Sequence, residues 1–240
     1  FCKKAIYRLS YVGPPLVFTI QAIERDRGPM ARNSVVNVGS FGFYLGEEGF
    51  WSFSGSGSRA IGDQKVDRYF LDDLDQNYID RVYGAADPVS KMVYWAYPGS
   101  GNSSGQPNKI IVYNWAADRW ATADITQEYM FRNLSVSRTL EDLDDFGTMD
   151  SIDVSLDDES WIGGLTSLNS FDSDYKLCRF TGSNLAATLE TQELGGTGRI
   201  YVNAIRPYVD GGTVTVALKH RVAPGDSVTA TSANAIDSDG

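Results

Sequence analysis

The sequence predicts an all-β fold: β-propeller-like blades of antiparallel strands, with one short helix and a second β-rich segment. Three observations lead there. The 240 residues hold 24 glycines and many Val, Ile, Thr and Tyr, with few long runs of Leu, Ala, Glu and Lys, a balance that favours strands and turns. Apolar residues alternate with a period of two in segment after segment. A hairpin pattern also recurs: "GFWSFSGSGSRAIG" (49–62) and "KLCRFTGSNLAAT" (176–188) share an aromatic-Ser/Thr-Gly-Ser core followed by an apolar stretch.

The first element is "AIYRLSYVGPPLVFTIQAI" (5–23), two alternating runs around Gly13-Pro14-Pro15, which predicts a hairpin. Loops at 24–28 and 31–34 follow. Then "VVNVGSFGFYLGEEGFWSFSG" (35–55) carries three short strands punctuated by Gly39, Glu47-Glu48-Gly49 and Gly55. In "QKVDRYFLDDLDQNYI" (64–79) the period lengthens, with Val66, Tyr69, Phe70 and Leu74 at helical spacing, so one short helix is expected.

Strands resume at 80–88, 91–99, 109–115 and 119–125, joined by Asp87-Pro88, "GSGNSSGQPN" (99–108) and Ala116-Ala117-Asp118. These connectors are too short for crossover helices, so the four strands read as an antiparallel meander, the size of one propeller blade. Similar hairpins centre on Leu9, Phe53, Tyr113 and Phe180, at separations of 44, 60 and 67 residues. Stacked blades would bury the apolar faces of such meanders and leave only short edges; a β-sandwich with chance hairpin likeness is the plainer alternative.

Three regions are expected: blades over 1–130, an acidic linker or extended loop over 131–165, and a further β-rich blade or domain over 166–240, truncated at its C-terminus. Residues 139–159 hold nine acids (Glu141, Asp142, Asp144, Asp145, Asp150, Asp153, Asp157, Asp158, Glu159) and no Lys or Arg. Like charges within a Debye length of ~8 Å resist packing, so this run reads as solvated. Strands return in 161–194 and 198–222, where Asp210-Gly211-Gly212 marks a hairpin, and the tail from Ala223 reads as polar and irregular. The chain opens at Phe1 inside an apolar alternation, as a piece of a longer polypeptide would.

Composition narrows the chemistry. A net charge of −10 argues against gripping phosphates, and no stretch reaches the ~18 apolar residues of a membrane span, so no membrane insertion is expected. Cys2 and Cys178 read as core thiols. His220, between Lys219 and Arg221, reads as a surface residue with no serine elbow to serve. Asp73, Asp75 and Asn77 have calcium-loop spacing, but Tyr78 stands where that loop needs glycine and Gly84 where it needs a bidentate Glu. They read as helix-surface groups. "GSGNSSG" (99–105) lacks the Lys-Ser/Thr of a phosphate loop and reads as a flexible hairpin tip. Thirty-one acids allow a glycosidase-like carboxylate pair, yet nothing singles one out. No catalytic, cofactor-binding or metal-binding residue is therefore assigned, and no cofactor is expected. Trp51, Trp95, Trp115, Trp120 and Trp161 are the expected packing anchors, each able to bury roughly 150–250 Å².

The ordered segments "YLGEEGFWSFSGSGSRAIGDQKVDRYFLDDLD" (44–75), "RVYGAADPVSKMVYWAYPGSG" (81–101), "PNKIIVYNWAADRWA" (107–121) and "WIGGLTSLNSFDSDYKLCRFTG" (161–182) carry a resemblance. Over about residues 38–215 the chain resembles the β-propeller tail proteins of short-tailed bacteriophages: the tail hub, nozzle or packaged-DNA stabilisation family. The resemblance implies a non-enzymatic virion protein of the phage tail, a homo-oligomeric ring of six copies around a channel. Its implied partners are portal or adaptor proteins on one side and tail fibre, spike or needle proteins on the other, with DNA passing through without specific binding. An acidic balance suits a conduit that must not hold phosphates. A carbohydrate-active or partner-binding propeller is the alternative.

Overall fold

The computed structural model describes residues 1–63, 65–134, 166–180, 185–194, 200–207, 214–223 and 225–236. The protein is mostly β, in several antiparallel sheets. It divides into two compact units, Phe1–Ser183 and Asn184–Gly240.

The first unit begins with β1 (Ala5–Tyr11) and β2 (Phe18–Arg25), a two-stranded ribbon closed where the Val12 N–H donates to the Val17 carbonyl at 3.1 Å. This is the hairpin that the alternation around Gly13-Pro14-Pro15 predicts. Next come β3 (Val36–Val38), β4 (Phe41–Gly46), β5 (Gly49–Phe53) and β6 (Ser58–Ala60), a four-stranded antiparallel meander in chain order. Helix α1 (Asp67–Asp73) follows. The expected single helix is in fact two pieces, because the backbone is extended at Leu74 and Asp75 before a 3₁₀ stretch at Gln76–Arg81. Asp75 accounts for the restart: its carboxylate accepts the Asn77 N–H at 3.1 Å, capping the new turn.

A second four-stranded meander consists of β7 (Tyr83–Asp87), β8 (Met92–Tyr97), β9 (Lys109–Asn114) and β10 (Arg119–Asp124). A third sheet joins β11 (Tyr129–Leu134), β12 (Thr166–Phe171) and β13 (Leu177–Arg179), again in chain order. Pairing of β11 with β12 thus brackets residues 135–165 and places Thr166–Arg179 in the first unit, beside strands that the sequence reading had put in a separate region.

The middle meander buries residues on both of its faces. Val93, Trp95 and Tyr97 of β8, with Ile111 and Tyr113 of β9, join Phe43, Leu45 and Phe50 of the first meander in one core. The alternate residues Ala96 and Ile110 form a second core with Tyr83, Ala85 and Met130, which Leu168 of β12 packs against. The three sheets therefore stack in chain order. Their first strands also follow one another in space, with β3 against β7 and β7 against β11. The Gly84 N–H donates to the Asn33 carbonyl at 2.9 Å across the first of these junctions. A side chain at Gly84 would strike Val36 and meet the Trp95 ring at 3.0 Å, so glycine is required for that approach.

The second unit is described by two short pairings, β14 (Val214–Val216) with β17 (Asn234–Ile236) and β15 (Lys219–His220) with β16 (Thr229–Ala230). The tail beyond Ala223, expected to be irregular, supplies both partner strands. Residues 200–207, expected as strand, are irregular backbone with Ile200, Tyr201 and Val202 exposed. The hairpin expected at Asp210-Gly211-Gly212 lies outside the described residues.

Trp95 is fully buried where the first two sheets meet, and its indole N–H donates to the Ser34 carbonyl at 2.9 Å. Trp95→Ala should cost roughly 3–5 kcal/mol, from lost transfer energy and the cavity left behind. Urea denaturation followed by circular dichroism checks this; a loss under about 1 kcal/mol would mean that the two sheets do not share this core.

Candidate functional site

Two places on the first unit gather polar and aromatic side chains, and the first of them holds residues singled out in the sequence. Asp73 and Asp75, expected as solvated helix-surface groups, instead clamp the "GSGNSSGQPN" connector. The Asp73 side chain is only 13% exposed and that of Lys109 18%, and their ion pair spans 2.9 Å from the end of α1 to the start of β9. Asp73 also accepts the Ser100 hydroxyl at 2.6 Å and the Tyr97 hydroxyl at 3.1 Å. Asp75 accepts the Asn102 amide at 3.2 Å, Asn102 in turn accepts the Gly105 N–H at 2.7 Å, and Asn108 accepts the Gly99 N–H at 2.8 Å. The connector expected as a flexible tip is therefore a tied loop. Its small polar residues are there to let the loop fold back onto two carboxylates, a signal that composition alone does not separate from flexibility.

The second place is a cleft of about 660 Å³ on the first unit, between the β4–β6 side of the first meander and the β9–β10 turn. Phe41, Phe43, Tyr113 and Trp115 supply its aromatic wall, and Arg59 and Lys65 stand on its rim. Phe43 and Trp115 lie 5.8 Å apart, and Phe41 meets Trp115 edge-on at 6.0 Å. Asp118 reaches the cleft from the β9–β10 turn in a left-handed conformation (φ 52°). It accepts from Lys65 at 2.6 Å and from the Tyr113 hydroxyl at 3.1 Å. The Lys65 bond, then the Tyr113 bond, hold the Asp118 carboxyl below the usual range. Burial, with the Asp118 hydrogen bond, pushes the Tyr113 phenol up to about 12. Asp118 is thus an ionised partner of Lys65 and Tyr113, suited to the unprotonated member of a two-carboxylate pair and not to its proton donor.

Asp67 lies in a smaller hollow of about 210 Å³ with Glu48 and Asp63. Burial raises its carboxyl above the ordinary value, against the lowering effect of the Phe50 N–H it accepts at 2.9 Å. Side chains at Gly49 or Gly62 would collide with that carboxylate, so both glycines make room for it. Its hydrogen bond fastens α1 to β5.

The remaining candidates do not converge. His220 is exposed on β15 in the second unit. Neither cysteine is the core thiol expected: Cys2 is exposed and Cys178 half-buried beside Asp172, and both are free. Both lie where the chain meets solvent, Cys2 ahead of the ribbon and Cys178 on the short outer strand β13. Among the described residues, no three His, Cys, Asp or Glu side chains stand together as a metal site, and no helix is long and apolar enough to cross a membrane. The nine acids between 141 and 159, and Trp161, lie outside the described residues. Trp95 is fully buried, Trp115 and Trp120 pack against the same core, and Trp51 lies under the Arg27 guanidinium at 4.6 Å.

The clamp and the cleft pair should differ sharply in strength. Asp73→Ala leaves a mostly buried Lys109 unpaired and should cost about 2–3 kcal/mol, somewhat under the ~3–5 of a fully buried pair. Lys65→Met at the exposed pair should cost under about 1 kcal/mol. Thermal denaturation of the two variants distinguishes them, and equal losses would contradict the clamp.

The clamp also sets a pH dependence. Burial opposes ionisation of Asp73, but the Ser100, Lys109 and Tyr97 hydrogen bonds together hold its carboxyl below the unfolded value. Its stabilisation is therefore present above about pH 4 and is lost as pH falls through the folded value. Asp73→Asn should flatten the fall in Tm between neutral pH and about pH 3; a parallel fall in both proteins would rule this out.

The chain matches no protein-family model, and no curated protein matches it.

Proposed function

We propose that this chain is a structural component of a bacteriophage tail, part of a hub or nozzle ring that retains the genome and then conducts it. In this reading the successive meanders are propeller blades. The observation that carries it is the stacking of three sheets in chain order with first strand beside first strand, β3 to β7 to β11, which is how blades are arranged around an axis.

Three further features support a mechanical role. Both faces of the middle meander are buried, so adjoining sheets cannot slide without exposing aromatic surface. Its longest connector is tied by the Asp73 and Asp75 bonds instead of being left to move. The net charge of −10 suits a wall that repels phosphates, since a basic lining would hold DNA through counterion release. The ordered segments over about residues 38–215 that resemble the short-tailed phage tail proteins supply the virion setting, the ring and its implied neighbours: portal or adaptor proteins, and fibre, spike or needle proteins. The carbohydrate-active alternative draws on the aromatic cleft, where the ionised Asp118, already bonded to Lys65 and Tyr113, leaves the proton-donor role to another group.

The test is the assembly state of the full-length protein. Light scattering after size exclusion, with negative-stain images of the same fractions, should give rings of about six copies around a channel. A monodisperse monomer at micromolar concentration would overturn the proposal.

A further inference from the structure

The β1–β2 ribbon has two faces of opposite character. Register places Tyr7 opposite Ala22, Leu9 opposite Ile20 and Tyr11 opposite Phe18, so these six share one face. The other face pairs Arg8 with Gln21, joined by a 2.7 Å hydrogen bond, and Ser10 with Thr19. The apolar face is not buried. Tyr7, Leu9, Tyr11, Phe18 and Ile20 are 51–72% exposed, and the tip residues Val12, Leu16 and Val17 are 50–66% exposed. No further strand among the described residues pairs with either edge.

The base of the ribbon, by contrast, is anchored. Ile6 is 2% exposed, the Glu24 carboxylate accepts the Ser58 N–H at 2.7 Å, and the Phe1 ring meets Phe53 edge-on at 5.5 Å. A side chain at Gly28 would strike the carbonyls of Cys2 and Lys3, so the two ends of the ribbon are held tightly together. The ribbon is thus a firmly rooted arm carrying an open apolar face.

We infer that this arm is an assembly arm that packs its Tyr7-Leu9-Tyr11-Phe18-Ile20 face onto a neighbouring copy of the same chain. Area is the first argument. At roughly 150–200 Å² per large side chain, scaled by these exposures, the five residues of the face offer about 500 Å² and the three tip residues bring the arm to about 800 Å², one partner's share of a standard stable interface. Charge is the second. Residues 1–32 carry six Lys or Arg against two acids, a net +4, while the remaining residues carry fifteen against twenty-nine, a net −14. Copies of so acidic a chain repel one another, and five of the six cations, Lys3, Lys4, Arg25, Arg27 and Arg32, lie at the root of the arm, where they offset that repulsion as the uncharged face docks. A contact between two different patches, arm on one copy and body on the next, is heterologous, and it closes into a ring when the rotation permits. The inference rests on the ring reading above and names the element that makes its contact.

The test uses the full-length protein with the photo-crosslinking residue benzoylphenylalanine in place of Tyr11, mixed as isotopically heavy and light copies. Crosslinked peptides pairing heavy with light chains are expected. Crosslinks confined to one copy, meaning that the chain covers its own arm, would overturn the inference. In parallel, the double variant Leu9→Asn with Ile20→Asn should raise the concentration needed for assembly at least tenfold, with Tm unchanged because both side chains are exposed. Arg8→Ala on the polar face should leave assembly as it was. Rings that form equally well in the double variant would remove the arm and leave the ring standing. A wild-type protein that never assembles would remove both.

Discussion

Everything described in the first unit depends on the aromatic contact between its first two meanders. Phe50 of β5 is fully buried and touches three elements at once: Trp95 of β8 at 4.6 Å, Trp120 of β10 at 5.0 Å and Phe70 of α1 at 4.8 Å. Phe70 in turn meets Tyr97 of β8 at 4.6 Å. Such pairs add about 0.5–1.5 kcal/mol each beyond the area they bury. Helix α1 shows how much is borne by this contact. Seven residues are too few for a helix to stand alone in water, and α1 persists because Phe70 is buried in the aromatic cluster while Asp67 bonds to the Phe50 backbone.

The charged groups of the unit follow the same logic of fixing position. Where a carboxylate is withdrawn from solvent, as with Asp73, it is surrounded by donors from three separate elements, which compensates its desolvation. Where it is exposed, as in the Arg68–Asp72 pair on α1, the geometry is loose at 3.5 Å and contributes little. Titratable groups here join α1, the 99–108 connector and the sheet edges to one another, which accords with the scaffold role proposed. The arm departs from this economy: its root is as well packed as the core, and its outer face is left to solvent.

Much of the architecture was legible because period-two alternation is a local property. The hairpin at 5–23, the meander at 83–124 and the strands around Gly39 and Gly49 follow from the order of apolar and polar residues and from turn chemistry. The break at Leu74 and Asp75 was not legible, since Val66, Tyr69, Phe70 and Leu74 keep helical spacing across it and only the Asp75 cap reveals the restart. Asp73 and the 99–108 connector misled for a related reason. Each alone looks solvent-facing, and their polar groups are satisfied by one another only because the fold brings together residues 27 and 36 positions apart. The cleft was invisible because Phe41, Arg59, Tyr113 and Trp115 come from two sheets.

By itself the sequence determined the local conformations: which segments are extended, where glycines permit reversals, and that the chain carries an excess of acid. Only the tertiary structure decided which faces those strands bury. A side-chain pattern specifies that one face of a strand is apolar, but whether that face meets another sheet, as at Trp95, or remains open, as at Leu9 and Ile20, depends on surfaces contributed by residues far away in the chain. Burial is a property of pairs of surfaces, and the pairing is set when the sheets stack.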